Sequence, residues 1–178
     1  MSLVQLNSFS KIVIVGTSGA GKTTLAQAIA HKYELSDIEL DALYWEPHWT
    51  PAEPAAFQSR VRNAMDDKGW VVHGNYSKVR DIIWNKADVI IWLDYPRHLV
   101  WWRILRRTIH RAFTRAKVCG DNTESFRLSF FSKESIILWS LRTYNRNRKL
   151  YSSLMQDPQF APKFIRVRTP AEARRLLD

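Results

Sequence analysis

The sequence has almost no cysteine. A single Cys119 in 178 residues leaves no partner for an internal disulfide and no thiolate set for a zinc site. A reducing, cytoplasmic setting is therefore expected. The first ten residues lack the long apolar core of a secretory signal. No uncharged apolar run approaches the roughly 18 residues of a membrane span. Internal repeats and low-complexity segments are absent. His31, His48, His98 and His110 are scattered without H-E-x-x-H spacing, which argues against a histidine metal centre. Acids are missing from one place in particular: none lies between Tyr95 and Gly120.

What is present reads as one globular domain over residues 1–178, with 46% hydrophobic residues and eight tryptophans. The net charge is +10, and it is localised. Between Arg97 and Lys149 lie 13 lysines and arginines against 3 acids, while the rest of the chain balances 14 against 14. Such a segment suits either a nucleic-acid surface or an enzyme that brings arginines onto a polyphosphate.

The most informative stretch is Gly16-Thr17-Ser18-Gly19-Ala20-Gly21-Lys22-Thr23, which fits the P-loop pattern G-x-x-x-x-G-K-[ST]. Ile12 to Val15 precede it as a short buried strand, and a strong helix former begins at Thr24. The glycines let backbone N–H groups turn inward around phosphate oxygens, and the helix N-terminus adds partial positive charge. Residues Gly16 to Thr24 are thus expected to hold a nucleoside triphosphate, with Lys22 on its outer phosphates and the Thr23 hydroxyl on Mg²⁺.

Further along, strands are expected at 11–15, 38–41, 70–73, 89–94 and 163–168. Helices are expected at 22–33, from Ala52 to about Asp67, at 78–86, from Arg97 to Phe113 and over 133–155, with a polar loop at 114–125. Thr169, Pro170 and Glu172 mark the start of a final helix. Short strands alternating with helices mean a parallel sheet covered on both faces, with ligands at the carboxyl ends of its strands. That rule sets the P-loop, Asp41, the Gly74-Asn75 turn and Asp94 along one rim.

Asp41 is the candidate for orienting an acceptor hydroxyl or holding Mg²⁺ through water. Asp94 is either a second Mg²⁺ carboxylate or a structural one. Arg103, Arg107, Arg111 and Arg115 recur every four residues beside Arg106, an uncompensated stripe that calls for an anion partner. Phosphate contact is assigned to Arg106 or Arg107, and to Arg142 and Arg146 on the later helix. Trp45 and Trp49 could wall an acceptor pocket.

In this order, the motifs resemble those of the P-loop nucleotide and small-molecule kinases, a group that includes adenylate, shikimate and gluconate kinases. Leu40-Asp41-Ala42-Leu43-Tyr44-Trp45 and Gly74-Asn75-Tyr76 are similar to patterns in the adenylate kinase-related bacterial topology modulation proteins. The resemblance implies a three-layer αβα fold with a five-stranded parallel sheet of order 2-3-1-4-5, and an ATP- and Mg²⁺-dependent phosphotransferase. It implies a lid at about 106–130 carrying Arg106 and Arg107, with Arg142 or Arg146 completing the clamp. Arg168 and Thr169 would lie near adenine, and Asp41 at the acceptor. His73 stands where relatives usually carry a Mg²⁺-associated Asp. Two other uses of the P-loop stay open: a nucleic-acid-associated ATPase on the basic 97–149 segment, and a weakly catalytic nucleotide-binding protein. The acceptor is not named by the sequence, nor is the choice between monomer and homodimer.

Overall fold

The structure is a computed structural model that describes residues 6–114 and 136–178, with side chains over 6–109 and 142–178. Its centre is a parallel five-stranded sheet. The strands are β1 (Lys11–Gly16), β2 (Ser36–Glu39), β5 (Trp70–His73), β6 (Val89–Leu93) and β7 (Phe164–Val167), in the order β2-β5-β1-β6-β7. Two short strands, β3 (Trp45–Glu46) and β4 (Thr50–Pro51), form a separate antiparallel hairpin. With that hairpin set aside, the sheet order is the expected 2-3-1-4-5. The expected polar loop at 114–125, Arg115, Cys119 and most of the 106–130 lid lie outside the described residues.

The three inner strands read as continuous apolar runs because helices cover both faces. Ile12, Ile14, Val71, Val89 and Ile91 face a layer containing α1 (Lys22–Tyr33), the start of α5 (Arg97–Thr114) and α7 (Pro170–Arg174). Val13, Val15, Val72, Ile90 and Trp92 face α3 (Pro54–Ala64), α4 (Arg80–Lys86) and the later part of α6 (Ile136–Leu154). Trp70, Trp92 and Phe57 are among the largest fully buried side chains. Burying each of these contributes on the order of 2–3 kcal/mol.

Helix α1 spans the expected residues. Helix α3 is shorter than expected: Glu53 caps it by accepting from Ala56 N–H at 2.9 Å, Pro54 takes its first turn, and Met65 ends it. The second strand ends two residues early. Ser36 to Glu39 pair with Trp70 to His73, and pairing stops where β5 stops. Leu40 and Asp41 therefore open a short helix, α2 (Leu40–Tyr44), instead of closing a strand. Gly74 permits the close passage at this corner. Its φ is +141°, and a Cβ there would sit 2.8 Å from Leu40 Cβ.

Candidate functional site

The glycine loop leaves β1 at Gly16 and enters α1 at Lys22. Gly16, Gly19 and Gly21 all have positive φ, and an added Cβ on Gly19 would lie 2.4 Å from Ile104 Cγ1. Ala20 N–H donates to the Thr17 carbonyl at 3.1 Å, which tightens the loop. Gly21 caps α1 without a side-chain hydrogen bond, and the first turn holds no acid. The helix N-terminus thus keeps its N–H groups and partial charge for an anion. A triphosphate fits this cradle.

Lys22 bends back over the loop and donates to the carbonyls of Gly16 at 3.0 Å and Thr17 at 3.3 Å. Burial lowers its pKa to about 8, with Arg107 pushing the same way and Asp41 and Glu39 opposing. Arg107 is therefore close enough for its charge to be felt at the P-loop lysine. Arg103, one turn earlier on α5, reaches the loop directly. Its Nη1 donates to the Ala20 carbonyl at 3.0 Å, and its guanidinium lies 5.1 Å from the Tyr95 ring centre. Arg106 is exposed. Among the described side chains of the expected stripe, Arg103 and Arg107 face the loop, because positions four apart share a helix face.

A further clamp comes from the end of β5. Asn75 Nδ2 donates to the Gly16 carbonyl at 2.7 Å, while its Oδ1 accepts from Gly16 N–H at 3.3 Å and from the Tyr151 hydroxyl at 3.0 Å. One amide side chain thus ties both backbone groups of the first loop glycine to α6. Sequence reasoning put Asn75 on the rim but did not anticipate this role, nor that of Tyr151.

Asp41 is half-buried in the first turn of α2 and accepts from the Tyr76 hydroxyl at 2.5 Å. Together with the Thr23 hydroxyl, exposed on α1, it offers the oxygen chemistry that Mg²⁺ prefers. No cluster of three His, Cys, Asp or Glu suited to a metal occurs among the described residues. His73 does not substitute for a carboxylate here. It is 3% exposed, and its Nε2 lies 3.2 Å from Asp37 Oδ1. Burial lowers its pKa against the opposing pull of Asp37.

The metal reading of Asp94 is not supported. Its carboxylate accepts from Arg166 Nε at 2.9 Å and pairs with Arg148 Nε at 3.3 Å, with the side chain 4% exposed. A cation there would have to displace two guanidiniums. Asp94 instead joins β6 to β7 and α6, and its own N–H donates to the Val167 carbonyl at 2.8 Å. Arg168 lines a cavity of about 380 Å³ with Asp94, Arg97, Tyr144 and Arg148. Thr169 caps α7 by accepting from Glu172 N–H at 3.2 Å.

A second cavity, of about 410 Å³, opens between α4 and α6 beside Gly74, Asn75 and Tyr76. Arg146 lines it from an exposed position, and Arg142, also exposed, does not. Trp45 and Trp49 do not line it. They contact each other edge-on at 5.7 Å and continue through Tyr44 to Tyr76, which is 4.7 Å from Tyr44. The aromatic segment thus buttresses the tyrosine that holds Asp41.

A parallel sheet of this order, with a glycine cradle at the end of its central strand, defines the P-loop nucleotide-binding fold. Known proteins agree. A family model described as ABC transporter matches residues 2–89, which contain the loop. No curated protein matches. Among solved structures, a gluconokinase from Sinorhizobium meliloti 1021 is 18% identical with a TM-score of 0.55, over 97% of this chain and 93% of its own. A shikimate kinase from Bacteroides thetaiotaomicron is 15% identical with a TM-score of 0.53, over 94% of each chain. A sugar kinase from Janibacter sp. HTCC2649 is 17% identical with a TM-score of 0.53, over 94% of this chain and 90% of its own. The chain therefore has the fold of small-molecule P-loop kinases. At these identities the likeness is one of fold.

Proposed function

We propose that this chain is an ATP-dependent phosphotransferase that moves the γ-phosphoryl group of ATP to a small hydroxyl- or phosphate-bearing acceptor. The observation that carries this reading is the glycine cradle at the end of β1 with Lys22 held over it, next to a carboxylate, Asp41, that a tyrosine holds. Asp41 acts on Lys22 through space while hydrogen-bonding Tyr76, which lines the second cavity.

In this reading the N–H groups from Gly16 to Thr24 hold the phosphates, and Lys22 turns from its loop carbonyls onto the outer ones. Mg²⁺, when bound, would neutralise phosphate charge, with the Thr23 hydroxyl as an oxygen partner. Arg103 and Arg107 keep positive charge against the loop, where it stabilises a transferring phosphoryl group. Asp41 orients the acceptor hydroxyl and receives its proton. The Arg106 and Arg142 assignments rest on helical spacing and the motif resemblance, and the Arg168 assignment and the finer likeness to topology modulation proteins on the resemblance alone. Lys22→Ala is expected to abolish ADP release with the circular dichroism spectrum retained. Unchanged turnover in that variant would rule out P-loop chemistry.

A further inference from the structure

Helix α5 has two unlike faces. Toward the fold, Val100, Ile104 and Thr108 are buried, and Arg103 reaches the glycine loop. On the opposite side, Trp101, Leu105 and Ile109 recur every four residues and form one row, with Trp102 beside it. All four are exposed, Trp102 by 62%. The row runs along about 12 Å of helix, at roughly 1.5 Å per residue. Single exposed apolar residues are ordinary, but a contiguous ridge marks an interaction surface. The charge around this ridge has one sign. Arg97 and Arg106 are exposed on its two flanks, and α5 holds five arginines and no acid. That charge selects the occupant. A second copy docked ridge to ridge would set arginines against arginines, because the same patch faces itself. An anionic lipid surface complements them and needs no groove shaped to a convex ridge.

We infer that the outer face of α5 docks this chain on an anionic phospholipid surface. Trp101, Trp102, Leu105 and Ile109 enter the boundary between headgroups and acyl chains, the level that tryptophan prefers. Arg106 meets lipid phosphates, and Arg97, held by Asn145, adds positive charge on the other flank. An apolar row with tryptophans and basic flanks suits a helix lying in the plane of the interface. No helix among the described residues is long and apolar enough to cross a membrane, so the contact is peripheral. Arg103 and the glycine loop lie on the other side of the helix. The inference does not depend on which acceptor the chain uses.

The test is co-sedimentation of the full chain with phosphatidylcholine vesicles, with and without about 30% phosphatidylglycerol, at about 150 mM salt. Mg²⁺ and the non-hydrolysable ATP analogue AMP-PNP are present, so that the P-loop does not take lipid phosphates. The mixed vesicles should hold the chain about tenfold or more tightly than phosphatidylcholine alone. The double variant Trp101→Gln/Trp102→Gln should lose about tenfold or more of that affinity, and Arg106→Gln about threefold. Lipids with brominated tails should quench the tryptophan fluorescence of the wild-type chain and not that of the double variant. Because both tryptophans are exposed, the double variant should keep its melting temperature. Equal retention by the two vesicle types, or retention indifferent to the double substitution, overturns the proposal. A clearly lowered melting temperature in the double variant would mean that the ridge is covered from within the chain. A dimer seen by sedimentation velocity and lost in the double variant would assign the ridge to a second copy. Either result also overturns it.

Discussion

At the scale of single residues, Lys22 carries the most chemistry. With its pKa lowered to about 8 by burial, the free protein begins to lose this proton at mildly alkaline pH. A bound triphosphate favours the charged form and returns the proton. Well below pH 8 the lysine is charged in both states and almost no proton moves. Uptake should therefore grow as pH rises through 8, reaching about half a proton per nucleotide near pH 8. The check is calorimetry of AMP-PNP binding in two buffers of different ionisation enthalpy, and Lys22→Met should abolish the uptake. His73 shows how far a motif departure can be read from sequence. The substitution itself was legible, but its side chain turns into the sheet–helix layer beside Asp37, a direction that only packing sets. Asp94 is a similar case. Its strand-end position suited a metal ligand or a structural carboxylate equally, and its pairing with Arg148 and Arg166, which come from outside its local sequence, matches the structural one.

At the scale of elements, the loop and α5 are fitted to each other. Gly19 combines a φ of +82° with an approach that would drive a Cβ to 2.4 Å from Ile104 Cγ1 and 3.1 Å from the Val100 carbonyl. Gly19→Ala is therefore expected to lower stability by about 1–3 kcal/mol through strain and overpacking. It should also weaken nucleotide binding. Denaturant unfolding and AMP-PNP titration measure the two effects. Helix α1 was legible to the residue because glycine stops precede it and the periodic apolar positions Leu25, Ala26 and Ile29 run through it. Strand β2 was not, because its end is set by the length of β5 and by the Gly74 corner, which belong to another part of the chain.

At the scale of the whole molecule, the question is where the +10 charge goes. Among the described side chains of the basic segment, Arg106, Arg142, Arg146 and Lys149 are exposed, and three others have partners within the fold. Arg97 bonds Asn145 and lies 5.1 Å from the Tyr144 ring centre, Arg103 holds the Ala20 carbonyl, and Arg148 pairs with Asp94. Arginines held this way do not form the outward phosphate-tracking surface that sequence-independent nucleic-acid binding uses. Band shifts with duplex DNA or single-stranded RNA at about 150 mM salt should thus show weak binding, and neither polymer should stimulate ADP release. Tight binding with a steep salt slope would restore the nucleic-acid-associated reading. By itself the sequence determined the P-loop, the parallel sheet and the confinement of positive charge to one segment, whereas the sheet order came from the resemblance to P-loop kinases. Those follow from local patterns: glycine spacing, short apolar runs between helical periods, and simple counting. Only the tertiary structure decided that Asn75 and Tyr151 brace Gly16, that Arg103 faces the loop, that Asp94 pairs with Arg148 and Arg166, and that Arg80 and Arg146 line one cavity. Arg80 and Arg146 are 66 residues apart in the chain, and no local pattern encodes a meeting that depends on how α4 and α6 pack on the same face of the sheet.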